Sequence, residues 1–502
     1  MSWAEQVEAQ AADPQPLSSS PAQIPHYQGN FPPLGAAGHG AEEPHPATPF
    51  EGHTHQPEGV AHKESSAAVA FRILQDTVRY EHSLNNAVSR RFHGDESVQK
   101  IIKLSQTLEQ MYAQVILTDL EICNKHNVEQ LLWKSAYYQL IEALRRQEQE
   151  AEEAGLYKRH LEHLLDHGYD FYVDLLEKLQ SVYQFNLENH KGLDPLHEEP
   201  RRTIKLALLS AQRCMISLGD IARYKELTND TNNYGKARSW YLKAQHLAPK
   251  NGRPYNQLAI LALYTRRKLD AVYYYMRSLA ASNPFLTARE SLMSLFEEVR
   301  RKVEHKERAQ AQAKQEKEEA KEAERRRKAR ERGGGGRKGR HGNGEDRGTT
   351  RREIWIASDG TSHDGSELPE EEEEEDEEEA LKRISPVEIN RKFVLSLLNV
   401  HGKLFTRIGL EYSEFITDRL LKEFSILLTH SPTPMTSSRL IQAMAINMFA
   451  AHNTETKDPT PAEDMRSLLQ EQSIQLGLDM FGLLVHRCNQ LLTGFFIFYY
   501  LT

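Results

Sequence analysis

Hydrophobic positions recur with a helical period over most of this chain. From Ala67 to about Arg300, stripes such as Leu131, Leu132, Ser135, Tyr138, Leu140 and Ile141 fall at the spacing of one helix face, while strand-like alternation is nearly absent. The breaks fall at Gly155, at Asn186 to Pro200, at Thr228 to Asn233, at Pro249 to Pro254 and at Asn283 to Pro284. Each carries the Gly, Pro or Asn chemistry of a helix connection, so about nine or ten helices are expected.

Within this region a period stands out. Ala237, Tyr241 and Ala244 recur as Ala271, Tyr275 and Ser278, each 34 positions later, which is the tetratricopeptide period. Ala259 lies twelve positions before Ala271, and Pro249 and Pro284 follow the repeating helices, where that repeat places a small residue and a terminating proline. Small side chains are required because the paired helices cross closely. Two repeats do not make a stable solenoid, so these must stack on the helices before them.

Thr287 to about Arg332 predicts one long helix, charged all round from Lys302 and laced with Glu and Lys at three- and four-residue spacing. Gly333 to Gly336 end it, and a linker follows to about Glu379 that includes the wholly acidic run Glu370 to Glu379 and is expected to be disordered. Helical periodicity returns at Pro386 to His430, Ser437 to His452 and Ala462 to Leu492. The expected organisation is a disordered tail over 1–66, helices over 67–228 and repeats over 229–305. A charged extension and linker over 306–385, a C-terminal helical block over 386–493 and an apolar tail over 494–502 complete it. The aromatic end gives the impression of a chain cut short.

Composition changes the picture mainly by exclusion. Of 502 residues, 39% are hydrophobic and 27% charged, so much of the chain cannot lie in a packed core. The first 65 or so residues, rich in Pro, Gly, Ala, Gln and His, bury too little apolar surface to offset ordering. His39, His45, His53 and His55 are irregularly spaced and call for no metal. Leu491 to Leu501 is too short to span a bilayer and no leader follows Met1, so a soluble, intracellular protein is expected. Cys123, Cys214 and Cys488 lie far apart, suggesting neither a disulfide framework nor zinc. No cofactor is indicated. The net charge of −9 conceals adjoining basic and acidic blocks near 325–380.

The most informative constellation joins two helices. Lys134 and Arg145 lie on the helix expected to start near Val128, and Gly219, Asp220, Arg223 and Tyr224 on the one expected near Thr203. Eleven residues are about three turns at 3.6 residues per turn, which aims Lys134 and Arg145 from one face. Converging guanidinium and ammonium groups suit a phosphate dianion, and a phenol adds a donor. Composition alone leaves this open against solvated surface cations.

A resemblance decides between them. Gly219-Asp220-Ile221-Ala222-Arg223-Tyr224 resembles the Gly-Asp-x-x-Arg-Tyr motif of 14-3-3 proteins, whose Arg and Tyr bind phosphoserine, and Leu131 to Arg146 resembles the helix carrying their other basic ligands. Arg145 matches the second of those; Tyr138 stands where a lysine is expected, and Lys134, one turn earlier, supplies the charge in our reading. Over Ala67 to about His305 the chain resembles the Est/Smg family, through Leu132-Trp133, the Leu218 to Tyr224 motif and Asn251-Gly252-Arg253-Pro254-Tyr255-Asn256-Gln257-Leu258-Ala259. Residues 386–490 resemble the following helical region of its telomerase-binding type. The resemblance implies an all-α fold: a 14-3-3-like helical domain with tetratricopeptide-like repeats continuing into an α-helical hairpin block. It also implies a phosphoserine- or phosphothreonine-dependent adaptor of nonsense-mediated mRNA decay in cytoplasm and nucleus. The implied partners are the phosphorylated RNA helicase of that pathway, the telomerase ribonucleoprotein, telomeric single-stranded DNA or RNA, and a related family member as heterodimer.

That type of member ends in a PIN nuclease, whose metal-holding aspartates need a folded α/β sheet. No such sheet is expected here, and a flexible acidic run cannot preorganise a metal pair. We therefore expect a non-enzymatic, shortened product that keeps the recruitment module. The basic runs Arg325-Arg326-Arg327-Lys328 and Arg337-Lys338-Gly339-Arg340 leave three readings open: a solvated helix end, a nuclear import signal, or a salt-sensitive nucleic-acid contact through phosphates. They hold no aromatic residue, which argues against base reading. Gly333 to Gly336 lacks the Lys-Ser/Thr of a P-loop, and Tyr273, Tyr274 and Tyr275 are expected to pack helices.

Overall fold

A computed structural model describes residues 65–90, 92, 94–150, 154–187, 198–333, 354–356, 362–364, 377–409, 413–454 and 468–501. The expected N-terminal tail with its histidines, most of the acidic run, and Arg337, Lys338 and Arg340 lie outside these residues. The chain forms two compact units that divide between Leu292 and Met293.

In the first unit, α1 (Ser66–Ser89) packs on α2 (Asp95–Thr118), followed by short α3 (Leu120–His126) and α4 (Val128–Leu131). Ser65 caps α1 by accepting from the Ala68 amide, and Asp119 caps α3 by accepting from Glu121 and Ile122 at 2.9 and 3.0 Å. The inner face of α2, from Val98, Ile101 and Ile102 to Leu108, Tyr112, Val115 and Ile116, is buried at three- and four-residue spacing as the periodicity requires.

The segment after α4 winds as a π-helix over Leu132–Tyr138 before α-geometry resumes in α5 (Gln139–Glu150). Side chains from three neighbours hold this wider turn. Ser105 donates to the Ala136 carbonyl, Tyr137 donates to Glu109, and Ser135 donates to Glu81 at 3.1 Å. His167 meets the same Glu109 at 2.8 Å. Each buried phenol or hydroxyl so paired avoids the cost of an unmet donor.

The long helices α6 (Ala154–Val182) and α7 (Glu198–Asn229) pack together, and α7 packs on α8 (Gly235–Leu247). Arg213 of α7 ties back to Glu129 at 2.9 Å and to Asn124 at 3.0 Å. The repeat continues through α9 (Arg253–Tyr264) and α10 (Lys268–Leu279). All seven positions that carried the period, Ala237, Tyr241, Ala244, Ala259, Ala271, Tyr275 and Ser278, are 0% exposed. At the junction a Cβ on Gly252 would meet the Ser278 carbonyl at 2.4 Å, so glycine is required there; Ser278 Oγ donates to the Gly252 carbonyl at 2.7 Å.

The boundary between units falls inside α11 (Ala288–Gly333), whose 46 residues are exposed beyond His305 wherever their side chains are described. In the second unit, strands β1 (Ile354–Ile356) and β2 (Ser362–Asp364) pair antiparallel. This small hairpin differs from the unstructured linker that composition suggested. A two-residue-period strand pair of this length leaves almost no hydrophobic pattern to detect. Helix α12 (Glu377–Lys382) leads to α13 (Pro386–Thr406), α14 (Ser413–Thr429), α15 (Ser437–Asn453) and α16 (Leu468–Leu501). The periodic run from Pro386 is interrupted where Arg407 and Gly409 adopt positive φ of 60° and 72°. Phe393 stacks on Phe424 with centroids 5.0 Å apart, and Phe296 packs against Phe405 at 5.6 Å. Among the described residues, no helix is long and apolar enough to cross a membrane.

Candidate functional site

Three of the four expected phosphate ligands come together on facing helices. Tyr224 of α7 donates its phenol to Glu142 Oε1 of α5 at 2.9 Å, and Arg145 Nη1 pairs with the same oxygen at 3.1 Å. The Tyr224 ring is flanked by both guanidiniums, with Arg223 Cζ at 4.5 Å and Arg145 Cζ at 5.5 Å from its centroid. Lys134 is exposed on the π-helical turn and takes no part in these contacts. The face-sharing argument for Lys134 and Arg145 assumed 3.6 residues per turn, whereas the π segment has a wider turn.

Beneath this surface lies a second carboxylate. Asp220 Oδ1 accepts from Tyr241 and Gln257 Nε2, both at 2.6 Å, and from Arg223 Nη2 at 3.2 Å. Gly219 makes the first contact accessible: a Cβ there would lie 2.3 Å from the Tyr241 ring. The Gly-Asp pair of the motif is thus a packing notch followed by the counter-ion that aims Arg223.

Burial opposes the Arg223 charge, but the Tyr241 and Tyr224 phenols and Asp220 more than offset it, holding the guanidinium above its ordinary range. Its Nε is buried with no hydrogen-bond partner. Burial, aided by Glu142 and opposed by Arg223, pushes the Tyr224 phenol up, so it stays a proton donor. Burial also raises Tyr138, whose phenol feels the Glu142, Arg223 and Arg145 charges. Arg253, one turn before Gln257 on α9, is depressed by burial, with Asp220 opposing that shift.

Sequence reasoning missed Glu142, which organises the mouth of the cluster, and gave no role to Arg253, whose charge is supported by Asp220. Glu142 is an acid on an amphipathic helix, ordinarily a solvated position, and only its spacing of three before Arg145 hinted at a pair. Arg253 stood in a family-like stretch without a role. The arrangement offers donors and positive charge to an anion. The basic segment lies elsewhere: Arg325 to Lys328 are exposed on α11, where Arg326 pairs with Glu322 at 2.6 Å and Lys328 with Glu324 at 3.1 Å. A depression of about 440 Å³ between α14 and α16 is lined by Leu421, Lys422, Ser425, Leu478, Asp479 and Leu483, so it gathers a single cation beside a carboxylate and no guanidinium.

Residues 127–229 match a family model described as telomerase activating protein Est1, and residues 237–501 match one described as Est1 DNA/RNA binding domain. All four expected phosphate ligands fall within the first. The chain is 46% identical over 419 residues to the telomerase-binding protein EST1A of Danio rerio, covering 82% of this chain and 26% of that protein. It is 32% identical over 229 residues to the nonsense-mediated mRNA decay factor SMG7 of Arabidopsis thaliana, covering 40% of this chain and 22% of that one. The chain thus spans about a quarter of the length of these relatives. A chain in a crystal structure of Est1 and Cdc13 shares the fold at a TM-score of 0.50 and 13% identity, covering 82% of this chain and 71% of that one. With two Est1 models matching residues 127–229 and 237–501, the second alone over half of the chain, this chain belongs to the Est/Smg family.

Proposed function

We propose that this chain is a non-enzymatic adaptor that binds phosphoserine or phosphothreonine segments of partner proteins in nonsense-mediated mRNA decay or telomere maintenance. The observation that carries the reading is the convergence of Arg145, Arg223 and Tyr224 between α5 and α7, with Arg145 the most exposed of the three. A phosphate carries close to two negative charges and three acceptor oxygens, enough to engage both guanidiniums and the phenol together. Lys134, exposed on the π-helical turn, is a further contact for the bound segment on this reading. The names of the relatives support the setting: a telomerase-binding protein and a decay factor. On this reading the partners are the phosphorylated RNA helicase of the decay pathway and the telomerase ribonucleoprotein, with a related family member as heterodimer. The protein works in cytoplasm and nucleus.

A second reading, binding of telomeric single-stranded DNA or RNA, is favoured by the DNA/RNA-binding description of the model over 237–501, which includes the exposed Arg325 to Lys328 stripe. The two are separated by where charge removal acts. Anisotropy of labelled phosphoserine peptides and of a labelled oligonucleotide is measured against the full chain, against Arg145→Ala, and against a variant with Arg325, Arg326, Arg327 and Lys328 all changed to Ala. The adaptor reading expects Arg145→Ala to weaken the peptide about tenfold or more and the stripe variant to leave it unchanged. Peptide binding that follows the stripe and ignores Arg145 overturns it.

A further inference from the structure

The two carboxylates of the site are placed for different work. Asp220 is buried, its side chain 4% exposed, and one of its oxygens takes three donors. It is a fixed counter-ion. Glu142 sits at the mouth, 36% exposed, beside an Arg145 side chain that is 25% exposed. Its Oε1 alone receives both the Tyr224 phenol and the Arg145 guanidinium. Those are two of the three groups that an incoming phosphate would engage. Glu142 therefore occupies the ligand's own position with a singly charged, two-oxygen group.

We propose, building on the phosphate-binding reading above, that Glu142 is a resident competitor that sets the pocket's selectivity for phosphate over carboxylate. Replacing one carboxylate by another gains nothing: a partner's Asp or Glu would have to expel Glu142 to make the same two contacts. A phosphate brings more charge and a third oxygen, so it can hold Arg145 and Tyr224 and reach Arg223 as well, which offsets the loss of the internal pair. Repulsion between bound phosphate and the Glu142 carboxylate turns that side chain out toward solvent, for which its exposure leaves room. The device lowers affinity in order to raise discrimination, the usual exchange where a repulsive element enforces specificity.

The test uses the full chain and three fluorescein-labelled peptide libraries with degenerate flanks and a central phosphoserine, glutamate or serine. Glu142→Gln keeps an acceptor for the Tyr224 phenol and removes the charge. It is expected to bind the phosphoserine library about tenfold tighter than wild type and to begin binding the glutamate library, so that the phosphoserine-to-glutamate ratio falls. Glu142→Asp, which keeps the charge but draws it back from the donors, is expected to fall between the two and serves if the glutamine variant misfolds. Unchanged or weaker phosphoserine binding by folded variants, with wild-type binding that depends on Arg145, overturns the competitor role and leaves the adaptor reading standing. Failure of wild type and variants alike to prefer phosphoserine over serine overturns both.

Discussion

At the scale of the residue, Asp220 shows how a short motif becomes a site. One oxygen accepting three hydrogen bonds holds Arg223 against the Tyr224 ring, and the glycine before it lets Tyr241 lie close enough to help. Gly219→Ala is expected to push Tyr241 off Asp220 and lower stability by about 1–3 kcal/mol; urea denaturation measures it, and an unchanged midpoint contradicts the notch. A second residue makes a prediction in pH. His401 is 1% exposed and meets Asn447 Oδ1 at 2.8 Å, and burial, only partly opposed by that hydrogen bond, pushes its imidazole down to about 4. The unfolded chain takes up this proton near pH 6.5 and the folded chain only near 4, so stability is lost as pH falls through that window. The loss reaches about 2 kcal/mol by pH 5. In His401→Gln the drop in stability between pH 7.5 and 5 should shrink by about that amount; an equal drop in both proteins contradicts the assignment. Arg223 and Tyr224 were legible in the sequence because a motif presents them. Glu142 was not, because nothing in its type or neighbours distinguishes an acid aimed at a pocket from one aimed at water.

Among the elements, the repeat was the most legible. Its small residues and tyrosines recur every 34 positions because two helix crossings impose the same steric limit, and all of these positions are fully buried. Ala271→Leu, at 0% exposure in α10, is expected to cost about 1–3 kcal/mol by overpacking, read as a lower urea midpoint against an exposed control such as Leu286→Ala, which should be nearly silent. The helix starts at Val128 and Pro386 were also readable. The α7 start was read five residues late, at Thr203 instead of Glu198, since charged residues open the helix without an apolar stripe. The π-helical turn was hidden altogether. It follows from side chains reaching in from α1 and α2, namely Glu81, Ser105 and Glu109, so it is a tertiary effect without a local sequence signal.

For the whole molecule, the division into two compact units inside a single helix has a thermodynamic consequence. Units with separate cores are expected to melt as separate transitions. Scanning calorimetry should then show two, with Gly219→Ala shifting one and His401→Gln altering the pH response of the other; one transition moved by both variants contradicts separate cores. The sequence did not reveal this boundary, because α11 keeps helical character on both sides of it while its composition changes gradually from amphipathic to charged. The all-α architecture, by contrast, could be read from periodicity alone. The family resemblance then joined the motif to the repeats, and both Est1 family models fall on those same stretches.

The central claim is that a phosphate on a partner segment is what the α5–α7 surface recognises. Its most direct test is isothermal titration of a phosphoserine peptide and its unphosphorylated twin into the full chain, into Arg145→Ala and into Tyr224→Phe. The account predicts binding of the phosphorylated peptide alone, weakened about tenfold or more by Arg145→Ala and by a smaller factor in Tyr224→Phe, which loses a single donor. Equal binding of the two peptides, or phosphopeptide binding indifferent to both variants, would contradict it.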